Sequence, residues 1–189
     1  MEKRINIEEC YFHGLAGGIP FWDEERVTAV GMRQLRQIIK SKGIYSRKIL
    51  KEKYGINIDK EQSYNGEEYI SLCKRHAEES EFYGEFSYLD PAFYRYIKYK
   101  MGIAISPDII NTCNFREDGY KRLPGERQVK DSIDISNFIA IVIGLSNKAK
   151  AIKELEEILK NTGIPIIDID GNILTSEGTK NMESSDIEK

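Results

Sequence analysis

The sequence predicts a single α+β domain. Helical periodicities gather in the first part of the chain and short β-prone runs in the later part. One further helix precedes a closing hairpin, and the regular strand–helix alternation of a doubly wound sheet is missing. A length of 189 residues suits one domain with a short tail. The domain is expected over residues 1–174, and residues 175–189 are expected to be a disordered, acidic tail.

The elements follow in order. Cys10, Tyr11 and Phe12 are short, aromatic-rich and followed by Gly14, the signature of a strand ending at a turn. A loop with three glycines and a proline leads to Asp23, an N-cap for a helix whose first turn holds Glu24 and Glu25. Val27, Val30, Leu35, Ile38 and Ile39 keep helical spacing, and Gly43 is expected to end the run. A second helix spans Arg47 to Tyr54 and stops at Gly55. Residues 57–68 read as loop. Residues 69–73, Tyr-Ile-Ser-Leu-Cys, read as a strand. Asp90-Pro91 opens another helix, expected to carry Phe93, Tyr94, Ile97 and Met101 inward. Ile103 to Ile105 is a short strand closed by Ser106-Pro107, and residues 111–125 read as a mobile, polar loop. Gln128 to Ile133 and Phe138 to Ile143 read as strands. Asn147 to Lys160 has the clearest helical pattern in the chain, capped by Gly163. Residues 164–169 and 173–174 form a hairpin over Asp170-Gly171.

Composition narrows the function. A net charge of −3 argues against a dedicated nucleic-acid binder, although basic stretches such as residues 40–53 leave nucleic acid open as a substrate. The three cysteines, Cys10, Cys73 and Cys113, are odd in number and widely spaced. They fit reduced, buried thiols better than a zinc site or a disulfide framework, so no metal is expected. Reduced thiols suit a cytoplasmic setting. The first residues lack the apolar run of a secretory signal, and no stretch reaches the roughly 18 apolar residues of a membrane span. Delivery into a target cytoplasm by a specialised secretion system would leave no trace in such a test.

No Walker loop, GxGxxG, HExxH or GxSxG motif is present. Three segments remain. In Tyr11-Phe12-His13-Gly14, an imidazole leaves a strand beside a glycine that lets a ligand approach the backbone; a buried, hydrogen-bonded histidine is the plainer explanation. In Tyr69-Ile70-Ser71-Leu72, period two puts Tyr69 and Ser71 on one face, where a ring and a hydroxyl could meet a flat ligand; a half-buried strand would look the same. In Gly125-Glu126-Arg127-Gln128-Val129, a carboxylate stands where a loop enters a strand, a common seat for catalytic groups; a surface Glu–Arg pair is the alternative.

Taken together and in this order, the segments resemble the ADP-ribosyltransferase superfamily, the fold of poly(ADP-ribose) polymerases, diphtheria-type toxins and bacterial effector transferases. There a His-Gly strand comes first, a strand with Tyr or Ser second, and a Glu at a loop–strand junction last. The resemblance spans residues 10 to about 145. It implies split antiparallel β-sheets with flanking helices, and NAD⁺ as the substrate. It implies that His13 holds the adenosine ribose, Gly14 the nicotinamide amide, Tyr69 (with Ser71 as partner or substitute) the nicotinamide ring, and Glu126 the nicotinamide ribose. Glu126, His13 and Tyr69 are thus the expected catalytic residues. The acceptor would be a macromolecule, a protein ahead of a nucleic acid, met by Phe115, Arg116, Tyr120, Lys121 and Arg122. A membrane has no part in it, and an antitoxin or activator fits the pattern. NAD⁺ hydrolysis, RNA phosphate transfer and an inactive NAD-binding module are the other readings. Leu15 stands where many members have Thr or Ser. Pro124 stands where arginine-modifying members have a second Glu, which argues against arginine as acceptor.

Overall fold

The computed structural model describes residues 3–56, 67–76, 90–112, 114–116 and 126–177. The expected loop over residues 57–66, Cys113, the acceptor-loop residues Tyr120, Lys121 and Arg122, and residues 178–189 of the expected tail lie outside the described residues. The fold is mixed α+β and built on a mostly antiparallel sheet. Strands β1 (Tyr11–Gly14), β3 (Tyr69–Lys74), β4 (Met101–Ile105), β5 (Phe115–Arg116), β6 (Glu126–Lys130), β8 (Phe138–Ile143) and β9 (Ile166–Ile167) form a seven-stranded sheet in the order β5-β6-β3-β1-β4-β8-β9. Only β8 and β9 pair in parallel. Strands β2 (Gly43–Tyr45) and β7 (Ser132–Asp134) pair separately.

Alternation along each strand gives the sheet two apolar faces. Tyr11, Ile70, Leu72, Ile103, Val129 and Ile141 face helices α1 (Glu24–Ser41) and α4 (Lys148–Ile158), which contribute Val27, Leu35, Ile152 and Leu155. Phe12, Cys73, Ala104 and Val142 face the other way, toward Phe93 and Ile97. Those two belong to α3 (Pro91–Phe93), which runs on into a π-helical turn, Tyr94–Lys98. Phe12 and Phe93 meet edge to face, with centroids 4.9 Å apart.

Helix α1 begins as expected, with Asp23 accepting from the Arg26 amide. It ends differently. Lys42 adopts the left-handed conformation (φ 58°) that glycine was expected to supply, and Gly43 instead opens β2, where a side chain would strike the Ile133 carbonyl at 2.7 Å. Helix α2 (Arg47–Tyr54) has the expected bounds and a left-handed Gly55 behind it. The helix after Asp90 is shorter than the periodicity suggested: Tyr94 is half-exposed, and Met101 already belongs to β4. The expected loop over residues 111–125 contains the edge strand β5, whose Phe115 ring packs on Tyr11. The run expected as one strand from Gln128 to Ile133 breaks at Asp131 (φ 68°) into β6 and β7. Past α4, Asn161 and Gly163 both take positive φ before the chain reaches β9. The closing hairpin is present as an Ile167–Ile173 bridge, and its first arm is also the parallel partner of β8. Cys10 and Cys73 are buried and free.

Candidate functional site

The three segments singled out in the sequence lie on three neighbouring strands, β6, β3 and β1. Cys73 stands opposite Glu126 and Ser71 opposite Gln128, so Ser71, Cys73, Glu126 and Gln128 share one face. Phe12, opposite Cys73, and Gly14, two residues on, belong to that face as well. Between β1 and β3 the registered ladder ends at Phe12 and Cys73, whereas β1 stays paired to β4 through Gly14. A narrow cleft lies at this point, about 310 Å³ counting its open mouth, with Gly14, Ser71, Cys73, Glu126, Ala92 and Tyr96 among its walls.

Glu126 is only 7 % exposed. Its Oε1 accepts a hydrogen bond from the Ser71 hydroxyl at 2.8 Å and lies 3.5 Å from Gln128 Nε2. The carboxylate is thereby aimed by rigid strand residues on two sides, which suits a group meant to meet developing charge. The Cys73 thiol beside it is pushed well above its ordinary range by burial, and then by the negative charges of Asp90 and Glu126. A thiol attacks as its thiolate, so these surroundings disfavour Cys73 as a nucleophile.

His13 is 2 % exposed and is not part of the cleft wall. Alternation puts it with Tyr11 and its partner Ile103, facing away from Glu126. Its Nδ1 donates to the Ser71 carbonyl at 2.9 Å; a carbonyl only accepts, so the proton is on Nδ1. Burial lowers its pKa, and the bond to Ser71 partly offsets that. His13 and Glu126 therefore meet through Ser71 rather than directly, one bonded to its carbonyl and the other to its hydroxyl. Tyr69 shares the face of Ser71 but is absent from the cleft wall; the Arg116 guanidinium sits 4.9 Å above its ring.

Four residues of the site were not singled out in the sequence. Cys73 and Gln128 follow from the period-two rule once Ser71 and Glu126 are named. Tyr96 and Ala92 had no such signal, because the π-helical turn breaks the spacing that assigned inward positions. Among the described residues no three His, Cys, Asp or Glu side chains group to hold a metal ion. A larger groove between α1 and α4, lined by Thr28, Arg36, Lys150 and Glu154, holds none of the three segments. No helix among the described residues is long and apolar enough to cross a membrane. No protein-family model and no curated protein matches the chain.

Proposed function

We propose that this protein is a mono-ADP-ribosyltransferase that cleaves NAD⁺ and passes ADP-ribose to a macromolecular acceptor. One observation carries the reading. Gly14, Ser71 and Glu126, drawn from three distant segments, line one cleft, with the serine hydroxyl bonded to the carboxylate. That convergence is part of what the resemblance to the ADP-ribosyltransferase superfamily implies; His13 and Tyr69, which it also implies, stand outside the cleft wall.

The chemistry fits a single carboxylate. Nicotinamide leaves NAD⁺ as a neutral molecule, so its departure needs no general acid. Positive charge builds on the ribose ring, and a negative group fixed beside it lowers that barrier more than it stabilises the ground state. Glu126 is the carboxylate for this role, aimed by Ser71 and Gln128. The Gly14 backbone can approach the nicotinamide amide without a side chain intervening. Tyr96, on the cleft wall, offers a ring to the nicotinamide; Tyr69, under Arg116, is the less available of the two. His13 acts as a positioning residue through the Ser71 carbonyl, in place of the direct ribose contact the resemblance implies. The enclosed part of the cleft is only about 20 Å³, room for one water molecule, so the nicotinamide–ribose end of the dinucleotide enters only where the walls move apart.

The test is purified protein with labelled NAD⁺ and cell lysate. Label on macromolecules is expected, and Glu126→Gln should lower turnover about 10²- to 10³-fold with little loss of NAD⁺ binding. Free ADP-ribose as the sole product would make it a hydrolase. Unchanged turnover in Glu126→Gln would overturn the assignment.

A further inference from the structure

Four of the exposed large apolar side chains among the described residues form one continuous surface. Trp22, the only tryptophan in the chain, is 74 % exposed. It meets Phe21 (centroids 5.1 Å), Phe21 meets Tyr99 (5.4 Å), and Tyr99 meets Tyr94 (5.4 Å). Aromatic rings left together in water commonly mark a binding surface. Lys98 Nζ lies 5.1 Å from the Tyr94 centroid and 5.6 Å from that of Tyr99, and the Arg95 guanidinium lies 5.4 Å from the Tyr96 ring. Among the described residues neither Lys98 nor Arg95 forms a salt bridge with a carboxylate; both sit against aromatic rings.

The patch is built from elements that also build the cleft. Phe21 and Trp22 follow the loop that leaves Gly14, and Tyr94, Arg95 and Lys98 flank Tyr96 on the π-helical turn. That loop is anchored from below. The buried Lys100 Nζ donates to the Gly17 and Ala16 carbonyls, and the Gln34 side chain accepts from the Ala16 amide. The rings are thus presented on a fixed platform.

We infer that this aromatic surface binds single-stranded nucleic acid. Bases stack on rings whatever their sequence, and phosphates pair with unneutralised cations; a cluster of rings with interleaved Lys and Arg supplies both. A protein partner would use the rings but would leave the two cations without a defined role unless it carried acids opposite them. The inference does not depend on NAD⁺ chemistry; joined to the proposed function, it makes a nucleic-acid strand the acceptor or its guide.

The lone tryptophan is the probe. The full chain is titrated with a single-stranded oligo(dT) of about twelve nucleotides, and Trp22 emission is followed. Saturable quenching is expected. With two phosphate contacts, affinity should fall about sevenfold between 50 and 200 mM salt. Tyr99→Ala or Tyr94→Ala, which leave the reporter in place, should weaken binding about tenfold, and Lys98→Gln should reduce the salt dependence. Melting temperatures of the variants check that they are folded. No saturable quenching up to about 0.1 mM oligonucleotide at low salt overturns the inference. So does equal quenching by a duplex, or by the single strand in Tyr94→Ala/Tyr99→Ala. Quenching by an acidic peptide but not by the oligonucleotide reassigns the surface to a protein. Loss of NAD⁺ turnover leaves these readouts untouched, so the two proposals fail separately.

Discussion

At the scale of single residues, Ser71 is the pivot of the site. Its hydroxyl holds the Glu126 carboxylate and its carbonyl receives the His13 ring. Ser71→Ala should therefore slow turnover about fivefold, the rate equivalent of losing about 1 kcal/mol of orientation. Ser71→Thr, which keeps the hydroxyl, should slow it less; equal rates in wild type and Ser71→Ala would show that the hydroxyl does not aim the acid. The sequence made Ser71 and Glu126 visible through alternation and through a loop–strand junction, both local signals. It could not show that the His13 ring faces away from Glu126, because that depends on the register of β1 against β3, which pairs Phe12 with Cys73. A register is a fact about two strands rather than about either one.

At the scale of elements, the helices were legible where caps and periodicity agreed. Asp23 and Ser46 start α1 and α2 with their side chains accepting from backbone N–H groups, as their residue types suggest, whereas Asn147 precedes α4 without a side-chain capping bond. The C-terminus of α1 shows the limit. Gly43 reads as the natural stop, yet its lack of a side chain is needed for close approach to Ile133, so Lys42 takes the left-handed position instead. A lysine there carries strain that glycine would not. Lys42→Gly should raise stability by about 0.5 to 1 kcal/mol in urea unfolding; a loss would mean that the lysine side chain makes contacts outweighing the strain. The π-helical turn was the least legible element. Its wider turn breaks the 3.6 period, and tertiary contacts help its own hydrogen bonds to hold it. One is the close approach of Gly144, where any side chain would collide with the Ile97 and Lys98 carbonyls.

At the scale of the whole molecule, two of the buried titratable groups make stability rise with pH over separate ranges. Burial holds the His13 pKa below its ordinary 6.5, so in acid the unfolded chain takes up a proton that the folded chain resists. This contribution is complete above pH 6.5 and is lost as the pH falls beneath it. Burial, with Arg95 adding to it, lowers Lys100 from 10.5 to about 8. Between those values the unfolded chain holds more protons, so stability gains from this group as pH rises from about 8 toward 10.5. Unfolding free energies should show the acid limb and, from about pH 8 to 9, the alkaline one; at higher pH the raised thiols of Cys10 and Cys73 oppose it, because there the folded chain holds the more protons. His13→Gln should flatten the acid limb and Lys100→Met the alkaline one; limbs unchanged in the variants would assign them to other groups. The α+β class was readable from the order of element types, whereas the strand order was not. Pairings such as β1 with β4 join residues about ninety positions apart, and no local pattern carries that distance.

The central place of β1 has a consequence for the nascent chain. Tyr11 to Gly14 emerges from the ribosome ahead of its partner strands, over residues 69–74 and 101–105, which follow about sixty and ninety residues later. At about 5 to 20 residues per second, the strand waits about 5 to 20 s before both its edges are covered. Through that interval an aromatic segment with open hydrogen-bonding edges stays within reach of a chaperone during translation.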